Sequence, residues 1–580
     1  MEIAGKRRLS TGAALWLIAA ALALCAIAPS LMQRAVVGHD VIYHSSRILN
    51  MAAEMQNGNP FPLVYTYALN GLGYGAPLFY CDWFLYPFAA LNAMGLSIYS
   101  TFKLLQVALL LANFLSVYLV AKSIFRDRAQ AQVTAIAYTF SFYSILDIYY
   151  RAAIGECLAF IFLPVVYLGY YRITHGREDQ WWLIALGMTA IALSHTLSIL
   201  LGAIFLLVMM LFDVKFWMKN FAKVRYMVYA ALLCIGLACF FWLPMLEQLT
   251  QLSFRLNLDV GNEQNRFTDQ MFNPLRLLAS PLILAIFKPD EVLPQPRLTS
   301  LLGYAAMAIA LFAVWRRGKG NRQPVRMLAA MFVFVWLSGR YSLTQLLAET
   351  PLAALQFPWR ILLNATLVMA LFIGGSWPSI KPGFWRGAAA GALALCAVAS
   401  IWVNYPSDQY EFMIEQAAEN GESAADFYDL QMTCNEVSDG QYLPYDLEYE
   451  IDGTLHAYHM PTFEAAASDE AVEFTLSRDE RNRMVVEFSG NTSGATIDLP
   501  LILYIGYSAE LDDGTALEVS RGESGMVRVS LGDNESGTFT VWYEGTALQT
   551  AGRAVSALSA AAFAGILVVQ RRERRAAVKA

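Results

Sequence analysis

Twelve apolar runs divide this chain, and they constrain its fold more than any other feature. A helix needs about 20 mostly apolar residues to cross the hydrocarbon core of a membrane. The runs lie at about 12–32, 102–122, 131–148, 153–171, 181–194, 197–213, 227–246, 299–315, 324–338, 360–377, 384–402 and 554–570. Charged residues are only 15% of the sequence, against about 25% in soluble domains. This pattern excludes a soluble enzyme and predicts a polytopic α-helical membrane protein with about 12 transmembrane helices.

Clusters of lysine and arginine predict how the helices cross the membrane, because such clusters are retained on the cytoplasmic side. Lys6-Arg7-Arg8 precede the first run, and the basic tail 571–575 follows the last one. Every basic cluster between them agrees with simple alternation, so both termini are predicted to be cytoplasmic. Two further apolar segments, 77–95 and 277–287, are predicted to be re-entrant or to lie at the outer surface.

Three long stretches are then predicted to face outward, at 33–100, 248–298 and 404–550. The last of these holds 29 acidic and 5 basic residues. Its first part, 408–430, has an amphipathic helical pattern. From about 462 it alternates polar and apolar residues between Asp-Gly, Ser-Gly and Gly-Asp turns, which is typical of a β-sandwich.

These stretches predict three domains. Residues 1–403 form a transmembrane domain with a long first outer loop at 33–100, residues 404–550 form an acidic extracytoplasmic domain that is mainly a β-sandwich, and residues 551–580 form the final helix and a basic cytoplasmic tail. Nucleic acid is excluded as a partner, since the bases occur in short clusters between apolar runs rather than on one soluble face.

Charged groups near membrane helices are costly, so they are candidates for functional roles. Four clusters fall at the predicted outer face. They contain His39, Asp40, His44 and Arg47; Arg151 and Glu156; His195; and Gln356, Trp359 and Arg360. A helix after residue 38 would place Asp40, His44 and Arg47 on one face. The alternatives are structural, namely a surface ion pair, arginines that anchor helix ends at the interface, and a histidine in a turn.

This inventory suits chemistry at a lipid phosphate. Arginines bind phosphate through two hydrogen bonds, and a carboxylate can remove a proton from a hydroxyl group. No cysteine pair has the spacing of a zinc site, and the early outer loops contain no convincing Asp-x-Asp motif. An anion transporter would need the same residue types, so the inventory alone does not select a reaction.

The order of motifs resembles the GT-C superfamily of integral-membrane glycosyltransferases. It is most similar to a bacterial branch labelled 6-pyruvoyl-tetrahydropterin synthase-related membrane protein. The motifs that carry this resemblance are Gly38-His39-Asp40 with His44 and Arg47, Gly58-Asn59-Pro60, the run from Asn70-Gly71 to Phe79-Tyr80, Arg151 with Glu156, Ser194-His195, Gln356 to Arg360, Gly440 to Pro444, and Asp498-Leu499-Pro500-Leu501 with Gly506-Tyr507.

The resemblance implies transfer of a sugar from a polyprenyl-phosphate donor to a glycan or wall-polymer acceptor outside the cytoplasm. It implies that Asp40 is the general base, with Glu156 as a further candidate. Arg151, Arg360, Arg47 and His44 are the implied contacts to the donor phosphate. His39, Tyr74, His195, Gln356 and Trp359 are implied to contact substrate, Tyr74 and Trp359 either stacking on a sugar ring or filling space.

Some superfamily members hold a divalent metal, but no motif here indicates one, so a reaction without metal or cofactor is predicted. Two other functions stay open. A lipid or glycan transporter predicts polar residues throughout the membrane and inverted halves, whereas the polar residues here concentrate on one side. A receptor or assembly protein that acts through its outer β-domain predicts that Asp40 and Arg360 are dispensable.

Overall fold

The fold was analysed in a computed structural model of the chain. The structure describes residues 11–33, 36–255, 322–339, 342, 355, 357–419, 421, 423, 435, 442–447, 450–451, 458–459, 463–492 and 494–579. The chain forms two compact units. The first comprises Met1–Val41, Lys103–Cys234 and Gly261–Glu411, and the second comprises Ile42–Phe102, Ile235–Val260 and Phe412–Ala580.

The described part of the chain is mostly helical before residue 420. Its helices are α1 (Thr11–Met32), α2 (Val41–Gln56), α3 (Ala76–Phe79), α4 (Tyr86–Ala93), α5 (Ile98–Phe125), α6 (Arg128–Thr139), α7 (Phe142–Ile145), α8 (Ile154–Thr174), α9 (Trp182–Ala192), α10 (Ser198–Phe212), α11 (Val214–Lys219), α12 (Val224–Leu237), α13 (Cys239–Gln251), α14 (Arg322–Leu337), α15 (Leu362–Ser376), α16 (Phe384–Val403), α17 (Ser407–Glu419) and α18 (Ala547–Lys579).

Six of the described helical segments are long and apolar enough to cross a membrane. They are Thr11–Met32, Ile98–Phe125, Ile154–Thr174, Pro358–Ser379, Phe384–Val403 and Ala547–Arg575. A seventh span results if Phe221–Leu237 and Cys239–Gln251, which are bent by 71°, count as one. The chain is therefore a membrane-embedded, polytopic helical protein, as its composition predicts.

The count of twelve transmembrane helices is not confirmed. The run at 131–148 is broken, because α6 ends after 12 residues and a short helix and a π-helical turn follow. The runs at 181–194 and 197–213 form α9 and α10, of 11 and 15 residues, which are short for a span. The segment 77–95 contains only α3 and α4. The runs at 277–287 and 299–315 lie outside the described residues.

The first unit is built around α15. In the segment Pro358–Ser379, which contains α15, 83% of the most apolar 18-residue window is buried. Helix α15 contacts α6, α8, α10 and α14. Polar side chains tie it to its neighbours: Gln130 Nε2 donates to the Gly374 carbonyl at 3.0 Å, and Asn364 Nδ2 donates to the Leu201 carbonyl at 2.9 Å. Such bonds satisfy groups that neither lipid nor water can reach. The segment at the start of α15 is therefore held inside protein.

The acidic region contains two antiparallel sheets that share one core, which confirms the β-sheet prediction for this region. The strands are β1 (Glu450–Ile451), β2 (Tyr458–His459), β3 (Ala466–Ala467), β4 (Glu473–Arg478), β5 (Met484–Ser489), β6 (Thr496–Ile502), β7 (Tyr507–Leu511), β8 (Ala516–Leu517), β9 (Val519–Arg521), β10 (Met526–Ser530) and β11 (Gly537–Tyr543). The sheet orders are β3-β6-β10-β9 and β4-β5-β11-β7-β8, besides the β1-β2 pair.

The two faces of each sheet explain why apolar and polar residues alternate along the strands. On β5, Met484, Val486 and Phe488 point inward, and they pack with Ile497 of β6 and Phe539 of β11 in the shared core. On the outer side of the smaller sheet, Arg528 lies opposite Asp498 and donates to both its carboxylate oxygens, at 2.5 and 2.7 Å. The alternation predicted from about residue 462 corresponds to strands that include β4, β5, β10 and β11.

The second unit joins the first outer loop to the β-sheets. The Ile502 amide donates to the Leu72 carbonyl at 2.8 Å, and Arg478 Nη2 donates to the Gly71 carbonyl at 2.6 Å. Helix α13 is held in the same way, since Gln248 exchanges two hydrogen bonds with the backbone of Ile505, at 2.8 and 2.9 Å. The loop is thus part of a folded body rather than a free connection. The proposed domain boundaries at 403 and 550 remain predictions.

Gly75 tests this junction, because a Cβ atom there would lie 2.6 Å from Cε1 of the fully buried Tyr504 ring. We expect Gly75→Ala to lower the free energy of unfolding by about 1–3 kcal/mol. The measurement is the thermal unfolding midpoint of the full chain in detergent. Gly565→Ala is the control, since nothing lies within 4 Å of a Cβ at that site. Equal midpoints for the two variants would contradict the close packing.

Candidate active site

A turn between α7 and α8 places Arg151. Residues Leu146–Tyr150 form a π-helical turn, Ala152 has a positive φ of 53°, and α8 begins at Ile154. The segment before α2 lies against this turn. The His39 amide donates to the Tyr150 carbonyl at 3.2 Å, and the Asp40 amide donates to the Arg151 carbonyl at 2.9 Å. The backbone therefore fixes Asp40 beside Arg151.

Gly38 allows this approach. A Cβ atom on Gly38 would lie 2.9 Å from the Ala152 Cβ and 3.4 Å from the Tyr149 carbonyl oxygen. Any larger residue at position 38 would separate the two segments. Beyond it, Asp40 is half-buried, while His39 is exposed with its ring edge-on to that of Tyr150.

Four buried charges surround the same turn, and we call Asp147, Arg151, Glu156 and Arg360 the four-charge cluster. Arg151 donates to Asp147 Oδ1 at 2.5 Å and to Glu156 Oε1 at 2.9 Å. Arg360 Nε donates to the same Glu156 oxygen at 2.9 Å. Each of the four residues is at most 9% exposed. The two guanidinium groups are thus paired with two carboxyl groups, since buried charges require partners.

Aromatic rings enclose the cluster. Tyr143 donates its hydroxyl to Glu156 Oε2 at 2.6 Å. The Arg151 guanidinium lies 4.4 Å from the centroid of the Trp359 ring, which stacks on Phe357 at 5.0 Å. Cation–π contact of this kind holds an arginine in one orientation. Trp359 is therefore occupied on its ring surface by protein groups.

The histidine of the fifth and sixth runs joins this site. His195 is buried, its Nδ1 lies 2.8 Å from Ser198 Oγ, and it interacts electrostatically with Glu156. The first unit thus brings together Asp40, Arg151, Glu156, His195, Trp359 and Arg360, all of which were singled out from the sequence. Gln356 lies outside the described residues.

Asp147 was missed by the sequence reasoning, although it forms part of the cluster. Its signal was a carboxylate four residues before Arg151 in an otherwise apolar run, a spacing that puts both side chains on one face of a helix. The structure also changes what Glu156 offers. Because that carboxylate accepts hydrogen bonds from two arginines and one tyrosine, it holds the arginines in place rather than standing ready to accept a proton.

His44 and Arg47 lie in the second unit, where they form the Arg47 cluster with Tyr65 and Asp82. Arg47 Nε donates to Asp82 Oδ1 at 2.9 Å, and its Nη1 lies 3.1 Å from His44 Nδ1. Tyr65 donates its hydroxyl to the other oxygen of Asp82. All four residues are buried. Helix α2 begins at Val41, so Asp40 directly precedes the helix that carries His44 and Arg47.

Charge and burial together fix the protonation states in the Arg47 cluster. Burial alone would lower the pKa of Arg47, but Asp82 and the surrounding tyrosines raise it, and the net pKa lies above its ordinary value. Burial, followed by the Asp82 carboxylate, raises the pKa of Tyr65. Arg47 is therefore positively charged, and the Tyr65 hydroxyl keeps its proton to donate to Asp82.

Tyr74 lies in the interior of the second unit and is only 2% exposed. Its backbone pairs with that of Tyr65, and its ring lies 6.3 Å from that of Tyr442. Tyr442 in turn stacks on Phe79 at 5.0 Å, and its carbonyl accepts from the Tyr504 hydroxyl at 3.0 Å. Of the two roles considered for Tyr74, this packing favours filling space.

No group of three or more His, Cys, Asp or Glu side chains in the described residues is arranged to hold a metal ion. A reaction without metal stays a prediction.

Comparisons with known proteins were made next. An uncharacterized protein of Lactococcus lactis subsp. cremoris (strain MG1363) is 24% identical over 220 residues, which are 37% of this chain and 36% of that protein. Arabinofuranosyltransferase AftD from Mycobacteria matches at a TM-score of 0.44 and 16% identity, over 70% of this chain and 28% of AftD. No family model matches.

A second solved structure is the archaeal oligosaccharyltransferase AglB from Archaeoglobus fulgidus, in complex with an inhibitory peptide and a dolichol-phosphate. It matches at a TM-score of 0.37 and 12% identity, over 75% of this chain and 61% of AglB. The chain thus spans less than two thirds of each of these proteins. A likeness with TM-scores below 0.5 carries no argument about activity, and the narrower branch label is not confirmed by these matches.

We expect Glu156→Gln to lower the free energy of unfolding by about 3–5 kcal/mol, because it leaves two buried guanidinium groups with one carboxylate. Thermal unfolding of the full chain measures this. Asp213→Asn is the matched control, since Asp213 also accepts from an arginine, Arg326, and from a tyrosine, Tyr170, but the Arg326 side chain is 26% exposed. Equal losses in the two variants would show that burial of the four-charge cluster does not matter.

Arg47→Lys should lower the free energy of unfolding by about 1–3 kcal/mol, because one ammonium cannot replace the guanidinium bonds to Asp82, His44 and the Cys81 carbonyl. The control is Arg521→Lys, whose ion pair with Asp446 is partly exposed and should change stability by less than about 1 kcal/mol. Full stability of Arg47→Lys together with lost activity would instead assign Arg47 to substrate binding.

Proposed function

We propose that this protein is an inverting glycosyltransferase. It would move a sugar from a polyprenyl-phosphate donor to a cell-surface or wall-glycan acceptor at the outer face of the membrane. One observation carries the proposal: Arg151 and Arg360, far apart in sequence, both donate to one oxygen of Glu156, beside the backbone that holds Asp40. Paired guanidinium groups and an accessible carboxylate are thus fixed in one part of a membrane-embedded unit.

Asp40 is the proposed base. It is half-buried, whereas Asp147 and Glu156 are fully buried, so an acceptor hydroxyl can reach Asp40 more readily. The hydroxyl proton passes to the Asp40 carboxylate as the acceptor oxygen attacks the anomeric carbon. The bond from that carbon to the phosphate oxygen breaks, and the phosphate leaves with the electron pair. Attack opposite the leaving group inverts the anomeric centre.

The arginines would stabilise the departing phosphate. Each guanidinium has five N–H groups, and Arg151 directs bonds from two of its nitrogens to carboxylates. Because Glu156 and Trp359 already fix its orientation, little reorganisation is needed when negative charge develops on the phosphate oxygen. Arg360 is the second proposed phosphate contact. Glu156 is then a positioning residue for both arginines.

The other residues take supporting roles in this proposal. His195 lies close enough to Glu156 to contact substrate at the same site, and His39 is exposed next to Asp40. Gln356 keeps its proposed contact to substrate. His44, Arg47 and Tyr74 stabilise the first outer loop from within the second unit. Both termini are proposed to be cytoplasmic, with the site and the β-sheet region outside.

Asp40→Asn tests the mechanism. Loss of a general base typically costs a factor of about 10²–10⁴ in rate, so transfer should fall at least a hundredfold while folding is kept. Cells lacking the protein are complemented with the native form, Asp40→Asn or the control Asp179→Asn, which changes an aspartate that is also half-buried. Surface glycans and lipid-linked sugars are then compared by mass spectrometry. We expect one decoration to be lost and its polyprenyl-phosphate sugar to accumulate unless the native or control form is present.

Full rescue by Asp40→Asn would remove Asp40 as the base. An unchanged glycan and lipid-linked sugar profile in cells lacking the protein would remove the transferase function itself and favour the transporter or receptor function.

A further inference from the structure

Two buried polar atoms next to Arg151 have no hydrogen-bond partner within the part of the chain that the structure describes. They are Asp147 Oδ2, an acceptor, and the indole N–H of Trp359, a donor. Asp147 is fully buried and Trp359 is 6% exposed. Both side chains contact the same guanidinium, Asp147 at 2.5 Å through its other oxygen and Trp359 at 4.4 Å through its ring. A buried polar group without a partner is costly, so such a group calls for an explanation.

An unpartnered atom alone would mean little, because Trp377 in the same unit also has a buried indole N–H without a partner. What distinguishes the pair beside Arg151 is that an acceptor and a donor border one charged group. That group belongs to the proposed phosphate site. Both residues therefore border a residue that is proposed to contact the donor phosphate.

The chemistry of the two atoms selects the ligand group. An unprotonated anion cannot donate a hydrogen bond to Asp147 Oδ2, and a cation such as an ammonium group cannot accept one from an indole N–H. A hydroxyl group both donates and accepts, so hydroxyl groups of one small ligand can satisfy both atoms. A sugar carries several such groups on adjacent carbons. The ring of Trp359 already packs on Arg151 and Phe357, which leaves its N–H as the group for recognition.

We infer that Asp147 Oδ2 and the Trp359 indole N–H bind hydroxyl groups of the sugar that is transferred, and so help to select it. The inference rests on the proposed glycosyltransferase function and adds the residues that read the donor sugar. Asp147 and Trp359 are specificity-determining residues, whereas Asp40 acts on the acceptor. Arg151 links the two functions, since it contacts both residues and is a proposed phosphate ligand.

The test uses the full-length protein in lipid nanodiscs with a panel of synthetic farnesyl-phosphate monosaccharides and their monodeoxy analogues. Trp359→Phe keeps an aromatic ring at this position but removes the N–H together with the five-membered ring that carries it, and Trp377→Phe makes the same reduction in ring size. We expect Trp359→Phe to raise KM for the preferred donor about three- to tenfold, as loss of one hydrogen bond predicts. Trp377→Phe is the matched control and should leave KM unchanged. Asp147→Asn should also raise KM, because it replaces one of the two carboxylate oxygens, which accept hydrogen bonds, by an amide NH₂ group, which donates them.

The deoxy analogues separate recognition from a structural effect. The native protein should transfer one analogue poorly, because that analogue lacks the hydroxyl group that binds the Trp359 N–H. Trp359→Phe should not raise KM for this analogue further, since that hydrogen bond is already absent. If Trp359→Phe behaves like Trp377→Phe on every donor, the inference is wrong although the transferase function stands. If no donor in the panel is transferred and none raises the unfolding temperature of the native protein, the proposed function fails and this inference fails with it.

Discussion

The first unit depends on how it accommodates buried charge. Taking an arginine or a carboxylate out of water is costly, and only close pairing of opposite charges offsets that cost. Arg151 and Arg360 share one oxygen of Glu156, and Arg151 also donates to Asp147. Because Glu156 lies in the first turn of α8 and Arg360 precedes α15, this pairing connects helices that are distant in sequence. The fold and the arrangement of the candidate site are therefore consequences of the same contacts.

The second unit follows the same rule with different groups. Arg47 directs three nitrogens to Asp82, His44 and backbone carbonyls, so its buried positive charge is paired with the Asp82 carboxylate. The loop itself is covered by aromatic side chains, and Gly75 admits the ring of Tyr504. Motifs that stand apart in the sequence, around residues 70–80, 442–444 and 498–507, meet in this unit. Their roles in the described structure are in packing.

Patterns within one element could be predicted from the sequence, whereas pairings between elements could not. The apolar runs predict membrane helices because length and composition alone decide whether a helix can cross. The strands β4, β5, β10 and β11 were predictable because alternation directly reflects a two-sided sheet. The break after α6 was not, since the residues at 131–148 are mostly apolar and tertiary contacts help to determine where such a helix ends. This break is one reason why the count of twelve helices is not confirmed.

The site shows the same division between local and distant signals. Asp40, Arg151, Glu156 and Arg360 stand out because each is a charge beside an apolar run. Asp82 follows Arg47 by 35 residues, and Arg360 follows Glu156 by 204, so neither ion pair has a signature in the sequence. That pairing matters for function. A charged side chain that is already paired has a fixed orientation. The substrate can then bind the hydrogen-bond donors and acceptors around it that remain unused. At the four-charge cluster, the proposed selection of the sugar therefore depends on the N–H of Trp359 and the second oxygen of Asp147 rather than on the arginines.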